Sequence, residues 1–134
     1  MNYKMVQFNK NFKHDLEFGE INEKKLAEIL LKEKIEVKTE RGIWDETGNI
    51  AIEIECRGKK SGLSTTEATY WVHILEKEGK QCVMLMFEVA HLKKVVDKMY
   101  AKKEARMTMG GDGNLSKMIL IPLDSLFDFV SNED

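Results

Sequence analysis

With 134 residues, 43% of them apolar and 33% charged, the chain is long enough for one hydrophobic core and too apolar for a disordered segment. Twenty-one Lys and Arg against 23 Asp and Glu give a formal net charge of -2, so any contact with polyphosphate has to come from local clusters and not from a globally basic surface. Cys56 and Cys82 lie far apart in apolar runs without a CxxC pair, which predicts buried free thiols over a disulfide or a zinc site. The opening MNYKMVQFNKNFKHD lacks the apolar stretch of a signal peptide, and no run approaches the roughly 18 apolar residues of a membrane span. The expectation is a single cytoplasmic domain over 1–134 with no membrane partner.

After the polar lead-in, helical spacing predicts a helix from about Asp15 to Glu33, with Leu26, Ala27 and Leu30 on its apolar stripe. Counting i, i+3, i+4, i+7 from Glu23 gives Glu23, Leu26, Ala27 and Leu30, so a carboxylate heads the apolar face. KIEVKTE then alternates Ile35, Val37 and Thr39 with Glu36, Lys38 and Glu40, the pattern of a half-buried strand whose polar face holds two acids flanking one lysine. RGIWDETGN reads as a turn. Beyond it Ile50, Ile52, Ile54 and Cys56 alternate with Ala51, Glu53 and Glu55, which predicts an antiparallel hairpin carrying Glu36, Lys38, Glu53 and Glu55 on one face.

RGKKSGLS is a basic loop, and STTEA offers a capping residue for a short helix. TYWVHIL and QCVMLMFE predict two strands around the turn EKEGK. A helix is expected from about Ala90 to Arg106, burying Leu92, Val95, Val96 and Met99 and presenting Lys94, Lys98, Lys102 and Arg106 on its other side. GGDGN is a loop, MILIPL a last strand ended by Pro122, and DSLFDFV a terminal helix. The order of elements predicts an α/β (α+β) domain, a central mixed β-sheet flanked by helices.

Two of these features bear on chemistry. On one strand face Glu36 and Lys38 stand about 6.5 to 7 Å apart at Cα, a carboxylate able to hold a hard cation beside an ammonium able to hold a phosphate oxygen or orient water. Taken alone, an acid-x-Lys triplet reads equally well as an exposed strand face with an ion pair. His14, His73 and His91 share no spacing, and His73 within an apolar strand reads as a satisfied core residue. Ser61, Ser64, Thr65 and Thr66 read as turn and capping residues, and GGDGN lacks the Lys-Ser/Thr ending of a phosphate loop. Trp44 and Trp71 are candidates for stacking on bases, with burial the stronger expectation for Trp71.

FGEINEKKLAEIL, IEVKTE, TGNIAIEIECRGKKSGLSTTEATYW and MILIPLDSL together resemble the small phage and prokaryotic members of the PD-(D/E)XK nuclease superfamily, and are similar to archaeal-type Holliday junction resolvases. Gly19 to Glu23 match a Gly-x-x-x-Glu pattern opening the first helix, Glu36 and Lys38 the acid-x-Lys strand, and Ile121, Pro122 and Leu126 the late strand and its sequel. The resemblance implies a restriction-endonuclease-like core and a Mg2+- or Mn2+-dependent endonuclease acting on DNA, branched or otherwise structured, with Glu23, Glu36 and Glu53 around the metal and Lys38 at the nucleophile or phosphate. The family's usual aspartate strand is missing, since only twelve residues lie between Glu23 and Glu36. Either Glu53 or Glu55 supplies that ligand, with Glu53 favoured, or Glu36 takes its place and the lysine has migrated.

Arg57, Lys59 and Lys60 in the loop leaving the acidic hairpin, with Lys94 and Lys98 on the late helix, are the candidate contacts to the DNA backbone, where they would add affinity without reading sequence. A homodimer would suit two-strand cleavage, with QCVMLMFE and LFDFV as its contact surface. Two other readings stand beside this one. One is a nuclease-fold accessory factor that binds nucleic acid or protein without cutting, and the other an interaction protein whose acidic hairpin is only solvated surface.

Overall fold

The computed structural model describes residues 12–132; the expected polar lead-in ahead of residue 12 lies outside them. The chain divides into two units, Met1–Glu33 and Lys34–Asp134. The first is a helix, α1 (Phe12–Lys32), with Asp15 in its first turn and Lys32 in its last, each charge at the helix end that favours it. Leu26 and Leu30 were expected to face a core, yet α1 buries none of its residues, and these two are 48% and 56% exposed. An apolar stripe marks the face a helix can bury, not what covers it.

The second unit is mixed α/β. Its strands are β1 (Ile35–Arg41), β2 (Asn49–Cys56), β3 (Lys59–Lys60), β4 (Tyr70–Lys77), β5 (Lys80–Glu88), β6 (Arg106–Gly110) and β7 (Ser116–Pro122). Its α-helices are α2 (Trp44–Thr47), α3 (Val89–Ala101) and α4 (Leu123–Val130). The strands form a mixed sheet ordered β1-β4-β5 and an antiparallel sheet ordered β3-β2-β7-β6. Among the described residues no helix is long and apolar enough to cross a membrane.

The expected β1–β2 hairpin does not form. β1 pairs with β4 in parallel, from Ile35 opposite Tyr70 to Arg41 opposite Glu76, while β2 pairs with β7. The seven residues between β1 and β2 hold the single turn of α2, whose Trp44 indole N–H donates to the Glu76 carbonyl at 2.8 Å, and this redirects β2 into the other sheet. The choice of partner reverses β1. β4 sets Trp71, His73 and Leu75, all buried, opposite Glu36, Lys38 and Glu40, so the polar side of β1 turns toward the interior and Val37 is 53% exposed.

Both sheets share one core. The stripe of α3 packs as its spacing predicts, with Leu92, Val95, Val96 and Met99 all buried, and it meets Ile52 and Ile121 of one sheet and Trp71 of the other in one cluster. Each such side chain contributes about 1.5 to 3 kcal/mol when fully withdrawn from water.

Other expectations shift. The α3 helix stops at Ala101, and Arg106 begins β6. STTEA forms no α-helix: the only helical turn there is the 3-10 segment Gly62–Ser64, and the Thr66 hydroxyl accepts the Ala68 N–H at 3.2 Å, a local bond that competes with helix propagation. Cys56 is half-buried and Cys82 exposed on β5, so the thiols are free as expected but not buried.

Candidate active site

Where the N-terminal half of β2 faces β1, the two sheets part, and the opening between them is a pocket of about 200 Å³ lined by Lys38, Thr39 and Glu40 of β1, Ala51 and Glu53 of β2, Trp71 and His73 of β4, and Met118 of β7. Two carboxylates and one ammonium thus come together from strands of different sheets.

Glu40 crosses the opening. Its Oε1 accepts the Ala51 backbone N–H at 2.9 Å and a bond from His73 Nε2 at 3.0 Å. The Ala51 amide lies on an edge of β2 that no strand covers here, and the carboxylate stands in for the missing strand. His73 is 2% exposed, and its Nδ1 receives the Trp71 indole N–H at 3.3 Å. An indole nitrogen can only donate, so Nδ1 accepts, the imidazole proton sits on Nε2, and it is donated to Glu40. Expected to be an ordinary core residue, His73 is buried and satisfied, and its partner is a carboxylate of the pocket.

Glu53 is held from the opposite direction. The Ser116 hydroxyl donates to Oε1 at 2.6 Å and the Ser61 hydroxyl to Oε2 at 3.0 Å. Gly62 makes the second contact possible: its φ is +52°, and a Cβ there would lie 2.1 Å from the Glu53 carbonyl oxygen, so only glycine lets the loop lie flat against β2. The register with β7 shifts between Glu53, opposite Met118, and Glu55, opposite Lys117. That irregularity breaks the alternation expected of β2 and separates the two acids: Glu53 lines the pocket, while Glu55 pairs with Lys117 at 3.3 Å.

Of the other sequence candidates, Lys38 lines the pocket, and Glu36 pairs with it at 3.3 Å without lining the pocket itself. Glu23 is exposed on α1, in the first unit, and the pocket is made entirely by the second. Arg57 and Gly58, at φ of 53° and 78°, make the tight two-residue turn joining β2 to β3. Arg57 lines a second cavity, of about 410 Å³, which Glu53 also borders. Lys59 and Lys60 are exposed on β3. Lys94 is exposed and Lys98 half-buried on α3. The basic stripe ends there, because Lys102 caps the helix with its ammonium 5.7 Å from the Phe129 ring centre. Trp71 is buried at 1% exposure and offers no face for stacking on bases, whereas Trp44 is half-buried with its N–H engaged by the Glu76 carbonyl.

Family models, curated proteins and solved structures compared with this chain give no match.

The donor set suits a hard cation. Among the described residues no three His, Cys, Asp or Glu side chains gather into a metal-binding group. Mg2+ usually takes only one or two carboxylates, keeping several waters and adding substrate phosphate oxygens, so Glu40 and Glu53 with open space beside them fit that habit, whereas Zn2+ would ask for nitrogen or sulfur ligands.

The sequence reading gives Glu40 no role beyond the polar face of its strand, reads His73 as core and Ser61 as a turn residue, and does not single out Ser116. For Glu40 the signal was present, since it follows Lys38 at the same two-residue interval by which Glu36 precedes it. Nothing in the sequence links Ser116 to Glu53, 63 residues away.

Proposed function

We propose that the protein is a metal-dependent endonuclease hydrolysing DNA phosphodiesters, with its centre at Glu40, Glu53 and Lys38. The observation that carries the reading is the convergence of those three side chains on one pocket, with both carboxylates already oriented by neutral donors. Support comes also from the sequence resemblance to PD-(D/E)XK nucleases, whose acid-x-Lys strand matches Glu36 and Lys38 and which left Glu53 or Glu55 to supply a missing ligand.

Glu40 and Glu53 would hold Mg2+ or Mn2+. Such an ion, when bound, stabilises charge developing on the phosphate and makes bound water a better nucleophile at neutral pH. The chain's own residues do the rest. Lys38, exposed at the mouth of the pocket, binds a non-bridging phosphate oxygen, and Glu36 restrains the ammonium on the strand face from which it reaches the substrate. Ser61 and Ser116 leave each Glu53 oxygen with further lone pairs for a cation. Arg57, bordering the cavity on the far side of Glu53, and Lys59 and Lys60 beyond it hold the DNA backbone without reading bases. Branched DNA is the substrate that the resemblance favours. A second copy of the chain would supply the second cut, and we place it on the exposed Val83 and Met84 of β5 and Phe127 of α4; sedimentation that finds only monomer at working concentration removes that element.

The test is cleavage of labelled linear, single-stranded and four-way-junction DNA with Mg2+ or Mn2+. Cutting abolished by EDTA, and lowered at least about 100-fold by Glu40→Gln and by Glu53→Gln, is the expected result. A folded parent that cuts none of these substrates with either metal sinks the proposal and leaves a nucleic-acid-binding accessory factor.

A further inference from the structure

We infer that His73 is a positioning residue for Glu40, a role that rests on the functional reading above and names what sets the geometry of its metal-binding carboxylate. A glutamate on a strand has three rotatable side-chain bonds, and a carboxylate that wanders among rotamers binds a cation weakly because its freedom is lost on binding. Glu40 is denied that freedom at one oxygen. Both of its hydrogen bonds, from the Ala51 amide and from His73 Nε2, fall on Oε1, and among the described residues Oε2 has no hydrogen-bond partner. One oxygen is anchored and the other is left for the pocket that Glu40 lines.

The Ala51 amide alone would not fix the carboxylate, because a single hydrogen bond leaves it free to rotate about the bonded oxygen. His73 supplies a second donor to that same oxygen, from another direction, which sets how the carboxylate turns about it, and the ring is itself fixed. The ring is 2% exposed, stands opposite Lys38 in the β1–β4 register, and has its tautomer set by the Trp71 indole N–H. Indole to imidazole to carboxylate is a chain of donors ending at the proposed metal ligand, with the first two members on β4 and the last on β1. Outer partners of this kind orient ligands, and their loss typically costs about 10- to 100-fold in metal affinity.

The experiment measures Mn2+ binding to the full chain without DNA, at one fixed pH, for the parent, His73→Leu and His73→Gln, with thermal unfolding of each metal-free protein and cleavage rates measured alongside. Gln places an amide N–H near the position of the imidazole Nε2–H, whereas Leu fills the space without a donor. The expected result is that Leu weakens Mn2+ binding by about 10-fold or more while remaining folded, and that Gln restores most of it. A folded Leu variant that binds Mn2+ like the parent, or a Gln variant that loses as much as Leu, overturns the inference. A parent that binds no Mn2+ overturns it together with the functional reading. A parent that binds Mn2+ with the expected pattern but cuts no DNA sinks the nuclease reading alone. Should Leu fail to fold, nitrogen-15 NMR of the parent decides the point: His73 carrying its proton on Nε2 supports the role, and a proton on Nδ1 alone overturns it.

Discussion

Four acids on β1 and β2 fall into two pairs that differ in how they are held. The inner pair, Glu40 and Glu53, takes its hydrogen bonds from an amide, an imidazole and two hydroxyls, all neutral donors fixed by the fold. The outer pair, Glu36 and Glu55, is matched by flexible lysines at 3.3 Å each, with side-chain exposures between 33% and 46%. The difference separates the two carboxylates of the proposed site from two that are already paired with lysine, one of which, Lys38, itself lines the pocket. Neutral donors orient a carboxylate without cancelling its charge, which leaves the charge for a cation, whereas a lysine cancels it and is readily exchanged for water.

The inner pair is most vulnerable at Gly62. Gly62→Ala forces a Cβ into the Glu53 carbonyl at a backbone conformation that alanine disfavours, and it should cost about 2 to 4 kcal/mol in urea unfolding while dislodging Ser61 from Glu53. A loss below about 0.5 kcal/mol would mean that the loop does not lie against β2 as described. Ser116→Ala leaves Glu53 with one oriented oxygen and is expected to cost about 1 kcal/mol, with Mn2+ affinity falling about 10-fold; unchanged affinity would make Ser116 a purely structural partner.

The outer pair sharpens the contrast by its small effects. Glu55→Gln should move stability by less than about 1 kcal/mol and leave metal binding unaltered. A large loss of Mn2+ affinity there would return Glu55 to the metal site. Smallest of all is the change at Asp45, whose carboxyl is held below its ordinary value of 3.8 first by the hydrogen bond from the Lys77 ammonium. A lowered folded-state pKa gives stability that is present above the unfolded value and lost as pH falls through the folded one, so Asp45→Asn should differ from the parent above about pH 4 and converge with it in stronger acid. Lys77 is raised above 10.5 chiefly by the same bond, and its share is lost only as pH rises beyond that value. Acid and alkaline unfolding curves that superimpose for parent and variant would show that the pair contributes nothing.

Periodicity carried much of the fold. The two-residue alternation located β1 and β2, the runs around EKEGK located β4 and β5, the stripe of α3 packs at all four of its residues, and the chain turns at Pro122 into α4 as the sequence suggests. Periodicity hides the start of β6, because Arg106 continues the four-residue spacing of the α3 lysines. Of the candidate site, Lys38 and Glu53 were legible from local pattern and resemblance together, and Glu40 was placed on the same strand face as Lys38 but given no role.

The sequence by itself determined which residues share a face of an element, because side-chain direction follows from backbone period alone. The tertiary structure decided which faces meet. β1 pairing with β4, 35 residues further along the chain, turned its acids inward, and the irregularity in β2 separated Glu53 from Glu55. Those choices depend on burying Trp71, Ile52 and the α3 stripe in one core, and they bring together His73 and Glu40, 33 residues apart, for which no local period exists.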